Sequence, residues 1–147
     1  MKAGKVLIVL FRLLAGGAFI YAAVLKISDP LGFAQDVLNY QVVGPALAFP
    51  VAVLLPWVEL FAGLGLVSGV LEKGSALVAS VLYAGFIGLV LSVIVRGLDV
   101  DCGCFGSLSS KADWRLVAQD AILLAMSLAI LFRADSKAIS RHDTISR

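Results

Sequence analysis

The chain has 147 residues, of which 61% are hydrophobic and 15% charged, with a formal net charge of +2 and a mean hydropathy of +1.00. A soluble domain carries roughly 25% charged residues, so this composition points to a polytopic membrane protein of one domain, in contact with the lipid bilayer. The net charge is too small to suggest a nucleic-acid partner.

Met1 to Lys5 is short and basic, and an apolar run over residues 6–25 follows, broken by Arg12. Arg12 interrupts what would be the core of a signal peptide, and the run outlasts the usual length of one. Both features predict a retained first span, closed by Lys26. Ser28-Asp29-Pro30 is a helix-start signal, a side-chain cap followed by proline. Beyond it Gly32, Gln35, Asp36 and Asn39 share one helical face, while Leu31, Phe33, Ala34, Val37 and Leu38 fall largely on the other. That pattern predicts a short amphipathic helix in the membrane interface, with Tyr40 at headgroup depth.

Gly44-Pro45 breaks this helix, and residues 46–71 read as the second span. Pro56 lacks the N–H that would bond the Ala52 carbonyl, which predicts a kink; Glu59 follows one turn later. Glu72-Lys73-Gly74 reads as a tight turn. Residues 75–95 form the third span, in which Ala76, Ser80, Ala84, Gly88 and Ser92 recur every fourth residue and predict a face for close helix packing. Gly65 and Gly69 offer the same on the second span. Residues 114–132 form the fourth span, interrupted by Asp120, with Ser110 and Asp113 as an imperfect capping box. The expected architecture is all-α: a four-helix transmembrane bundle over residues 1–134, with a short interfacial helix between helices 1 and 2. Residues 135–147 form a polar tail, which holds the lone histidine, His142.

Four spans put both termini on one side. That side carries Lys2, Lys5, Lys73, Arg133, Lys137, Arg141 and Arg147; the other carries Lys26, Arg96, Lys111 and Arg115. The excess of basic residues places the termini in the cytoplasm. The expected home is the bacterial inner membrane, with residues 96–109 facing the periplasm.

That loop holds Asp101-Cys102-Gly103-Cys104-Phe105-Gly106, which contains the only two cysteines. Gly103 supplies the backbone freedom that a bridge between them needs. The resulting small ring is strained and easily reduced, and it closes too little chain to act as a staple. The pattern therefore suits exchange between dithiol and disulfide on the oxidising side of a membrane. Asp101 is a candidate proton relay during exchange. Two other readings stay open: a soft-metal carrier holding Cu(I) or Hg(II) on two thiolates, and a non-enzymatic scaffold whose loop docks a partner. A structural zinc site would need four ligands, and no histidine or second cysteine pair stands nearby.

Arg12, Glu59 and Asp120 lie inside apolar spans, where charges usually pair and face the bundle interior. Helices 1 and 2 run antiparallel, so the expected pair is Arg12 with Glu59, and Asp120 falls nearer the outer side beside Lys26. These residues either fix helix register or form a proton or quinone site beneath the cysteines. Closing a disulfide releases two electrons and two protons. The sequence has no haem, flavin or nicotinamide motif, which leaves a membrane quinone as the cofactor candidate.

The chain resembles the MauE family of methylamine-utilisation membrane proteins, within the broader DoxX-like group. Arg12 with Gly16 and Phe19, then Lys26 and Asp29, is similar to the family's first-helix pattern. Leu55-Pro56 with Glu59 and Gly63 is similar to the second. The Asp101–Gly106 string and Asp120 complete it. The resemblance implies a four-helix membrane protein that assists maturation of periplasmic proteins together with a thioredoxin-like partner. The client it implies is the disulfide-rich small subunit of methylamine dehydrogenase. The organisation is also similar to that of DsbB and the vitamin K epoxide reductase group, which are quinone-linked and carry additional cysteines. With one pair, exchange here has to use Cys102 and Cys104 directly.

Overall fold

The computed structural model describes residues 2–98 and 114–145, and the side chains of residues 4–98 and 114–133. These residues form five helices: α1 (Lys2–Ser28), α2 (Pro30–Asn39), α3 (Pro45–Ser68), α4 (Glu72–Val95) and α5 (Trp114–Ile145). Stretches of α1, α3, α4 and α5 are long and apolar enough to cross a membrane. A 24-residue helix such as α3 is about 36 Å long, against about 30 Å of hydrocarbon. Large apolar side chains such as Leu54, Phe61 and Val81 point outward from the bundle, as lipid contact requires. The protein is an all-α, four-span bundle with the short α2 set between the first two spans.

Local chemistry fixes the ends of these elements. The Asp29 carboxylate caps α2 by accepting from the Gly32 N–H at 2.9 Å, and Pro30 occupies the first turn. α3 is one continuous helix through Pro50 and Pro56. It ends at Ser68, short of the expected Leu71, because Gly69 adopts a left-handed φ of 72° and donates its N–H to the Gly65 carbonyl, a helix-terminating geometry. The turn therefore falls at residues 69–71, and Glu72-Lys73-Gly74 opens α4 instead of forming the turn. α5 stays helical to Ile145, well into the stretch expected to be a polar tail.

Around the bundle the spans follow the order α1, α3, α4, α5, and each packs against its two neighbours; α2 lies mainly on α3. All four neighbouring pairs run antiparallel. α1 and α3 come closest at Gly16 and Gly63. A Cβ on either would stand 2.8 Å from the carbonyl oxygen of the other, so backbone touches backbone there. The core is filled across the diagonal by Phe19 of α1 and Tyr83 of α4, with ring centroids 4.3 Å apart. The Tyr83 hydroxyl donates to the Ala15 carbonyl at 3.2 Å.

The every-fourth-residue stripe expected on α4 is buried at Ala76 and Ser80 but exposed at Ala84 and Gly88. A step of four residues turns the helix about 40° past a full circle, so the stripe winds off the interface. The buried line instead runs Ala76, Ala79, Tyr83, Val90, Val93. Gly65 does meet α4, since a Cβ there would collide with the Ser75 side chain.

Candidate functional site

Each of the four spans sends one titratable side chain into the same region of the bundle. Lys26 of α1, Glu59 of α3, Tyr83 of α4 and Asp120 of α5 line one small cavity of about 30 Å³, together with Phe19 and Phe86. Its size suffices for a single water molecule. Lys26 donates to Glu59, Nζ to Oε1 at 2.6 Å, with the two side chains 2% and 0% exposed. Among the described residues the other Glu59 oxygen, Oε2, has no hydrogen-bond partner. The Lys26 ammonium also lies 4.9 Å from the Phe33 ring centroid and 4.8 Å from that of Phe86, both within cation–π range.

The expected Arg12–Glu59 pair does not form, and helix register explains why. Counting four residues along each helix from the Gly16–Gly63 contact brings Ile20 level with Glu59, which leaves Arg12 about 12 Å further along. Side chains on a helix lean toward its own N-terminus. On antiparallel α1 and α3, Lys26 therefore leans into the bundle and Glu59 leans up to meet it. Arg12 serves the C-terminal end of α3 instead. Its Nε donates to the Leu66 carbonyl at 2.8 Å and its Nη2 to the Val67 carbonyl at 3.2 Å, and its guanidinium occupies the place a Gly69 side chain would fill. Helix-end carbonyls lack intrahelical donors and carry partial negative charge, so a cation suits them.

Above the polar cluster lies a second, larger cavity of about 110 Å³, walled by Phe33, Val37 and Tyr40 of the α2 segment, Val51 and Leu55 of α3, and Phe86, Leu89 and Val90 of α4. Lys26 lines both cavities and, among the described residues, is the charged one in the wall of the larger. At its rim, Arg96, the residue that ends α4, donates to the Tyr40 carbonyl at 3.2 Å and to the Gln41 side chain at 3.1 Å. The chain thus leaves α4 toward the cysteines from a side chain bonded to the wall of this cavity.

Of the expected site residues, Glu59 and Asp120 come together, Arg12 stands apart, and Asp101, Cys102 and Cys104 lie outside the described residues. Lys26, expected beside Asp120, is the central member: it also takes the Glu59 carboxylate that the sequence pattern assigns to Arg12. Its signal is its four-carbon reach combined with the inward lean of an antiparallel partner. Tyr83 and Phe86 carry no sequence signal beyond being aromatic, and Phe33 is marked only as part of the apolar face of α2.

A four-span membrane protein with a buried charged cluster under an apolar cavity is the class that this fold and site define. The chain belongs to the family described as methylamine utilisation protein MauE, whose model matches residues 4–133. It is 33% identical over 114 residues to the methylamine utilization protein MauE of Paracoccus denitrificans, covering 76% of this chain and 61% of that protein. It is 35% identical over 115 residues to that of Methylorubrum extorquens, covering 75% and 61%, and 34% identical over 109 residues to that of Methylophilus methylotrophus, covering 74% and 56%. The chain thus spans about three fifths of the length of the curated relatives it matches. No solved structure matches it.

Proposed function

We propose that this protein is a membrane thiol–disulfide redox protein of the bacterial inner membrane. Its Cys102-Gly103-Cys104 pair faces the periplasm and exchanges disulfides with a thioredoxin-like partner during maturation of periplasmic proteins. The observation that carries this reading is the placement of the only two thiols in the sequence, one residue apart, in the stretch joining two spans. A pair so spaced closes no useful loop and is suited to exchange. The excess of Lys and Arg among the residues assigned to the side of the termini supports the orientation. The names of the relatives, methylamine utilization proteins, support a client in methylamine metabolism, and the family resemblance suggests one of the methylamine dehydrogenase type.

Exchange proceeds by attack of one cysteine thiolate on a partner disulfide. The partner's S–S bond breaks, a mixed disulfide forms, and the second cysteine resolves it to leave Cys102–Cys104 bridged and the partner as a dithiol. The reverse runs through the same intermediate. Two electrons and two protons pass between the pairs, so the step balances without a further reactant. Asp101, beside the pair in sequence, is the candidate to hold a proton during it.

Cells carrying Cys102→Ala or Cys104→Ala are expected to trap a mixed disulfide with a periplasmic partner, seen on non-reducing gels and identified by mass spectrometry. Trapping by neither variant, with client maturation intact in the Cys102→Ser/Cys104→Ser double variant, would leave a scaffold as the better reading. Stoichiometric Cu(I) or Hg(II) binding lost in the same double variant, without trapping, would favour a metal carrier.

A further inference from the structure

We infer that the cavity under α2 is a binding site for the single-ring headgroup of a membrane-diffusible quinone, with the Lys26 ammonium donating to one of its carbonyl oxygens. The inference rests on the thiol–disulfide reading for its purpose, but the site itself stands on the cavity. Three observations carry it.

The first is size. A closed cavity of about 150 Å³ accepts benzene; this one measures about 110 Å³ and opens beside the exposed Val42, so a single ring enters with its substituents toward that edge, whereas a flavin or a haem does not fit. The second is the wall. Phe33, Val37, Val51, Leu55, Phe86, Leu89 and Val90 make it apolar, and the exposed Val42 at the cavity's edge leaves a way out to lipid for a long tail. The third is the polar end. An ammonium carries three N–H donors, and the hydrogen bond to Glu59 uses one. The Glu59 carboxylate pairs with the ammonium, and Asp120 lines the same small cavity, so Lys26 offers donors but no unpaired positive charge. That selects a neutral ligand bearing a carbonyl oxygen over a lipid phosphate, which would want an unpaired cation, and over an acyl tail, which would leave the donors unused.

The redox step then balances. The two thiols of Cys102 and Cys104 lose two electrons and two protons as their S–S bond forms. The quinone takes up the same two electrons and two protons, one proton on each oxygen, and leaves as the quinol.

The test uses the purified full-length protein in lipid nanodiscs with a photoreactive azido-quinone, and maps the labelled peptides by mass spectrometry. Labelling is expected on the peptides containing Phe33–Tyr40 and Phe86–Val90, and to be displaced by excess tailless dimethoxy-methyl-benzoquinone. Val51→Trp fills the cavity from a half-buried position and is expected to abolish the labelling while thermal unfolding is unchanged. The charge-balanced Lys26→Met/Glu59→Gln variant is expected to weaken binding about tenfold, the worth of one charge-assisted hydrogen bond. Label spread evenly over all spans, label unaffected by Val51→Trp, or label displaced by oleate but not by the tailless quinone would each overturn the site. Cys102→Ser/Cys104→Ser is expected to keep the labelling and lose quinone reduction. Labelling without partner trapping would therefore uphold this site while the exchange reading fails, and partner trapping without labelling would do the opposite.

Discussion

Lys26 and Glu59 close a salt bridge in the interior of the bundle, Nζ to Oε1 at 2.6 Å, with both side chains shielded from outside. Removing one member of such a pair strands the other charge, at a cost of about 3–5 kcal/mol, whereas removing both together is far cheaper. Lys26→Met, which leaves Glu59 without a cation, is expected to destabilise the bundle by that order, and Glu59→Gln, which leaves Lys26 beside Asp120, by less. The double variant is expected to recover most of the loss. Denaturant titration in detergent micelles measures all three; losses that simply add would show that the two residues do not act as a pair.

Arg12 does a different job, and its variants should say so. Loss of its two hydrogen bonds to the α3 carbonyls in Arg12→Leu is expected to cost about 2–3 kcal/mol. Arg12→Lys keeps a cation at the helix end but not the fork, and is expected to lose about 1 kcal/mol. Equal losses for the two in the same titration would argue that the fork is not what matters.

Adjacent glycines on α1 provide a matched comparison. Gly16 presses on the Gly63 carbonyl, whereas a Cβ added to Gly17 would meet nothing within 4 Å. Gly16→Val is expected to force the helices apart and cost about 1–3 kcal/mol. Gly17→Ala should be neutral or stabilising by up to about 1 kcal/mol, since alanine favours the helix. Thermal unfolding of the two variants side by side is the check.

The four spans and the capped amphipathic helix are legible in the sequence because each rests on a local signal: an apolar run of membrane length, or Asp29-Pro30 ahead of α2. The ion pairing is not, because it depends on register. Nothing local says that Gly16 meets Gly63, and without that contact Arg12 and Lys26 compete equally for Glu59. The α4 stripe fails for a related reason, as identity every four residues is not the helical repeat. Asp120 falls beside Lys26 on depth alone, with no need of register, and the two line one small cavity.

Orientation has its own experiment. A membrane-impermeant maleimide is expected to label reduced Cys102 and Cys104 in intact spheroplasts. In a cysteine-free background, Val70→Cys in the exposed turn between α3 and α4 should react only after permeabilisation. The inverse pattern would put the termini outside.

The contact between Gly16 and Gly63, the Arg12 hydrogen bonds and the Lys26–Glu59 bridge all join α1 to α3. Their partners are therefore synthesised before α4 begins at Glu72. During biogenesis the lysine need not wait in lipid for the whole chain: its carboxylate arrives with the next span to be inserted. The first two spans can leave the insertion machinery already paired, and Asp120 joins last, beside a charge that has found its counter-ion.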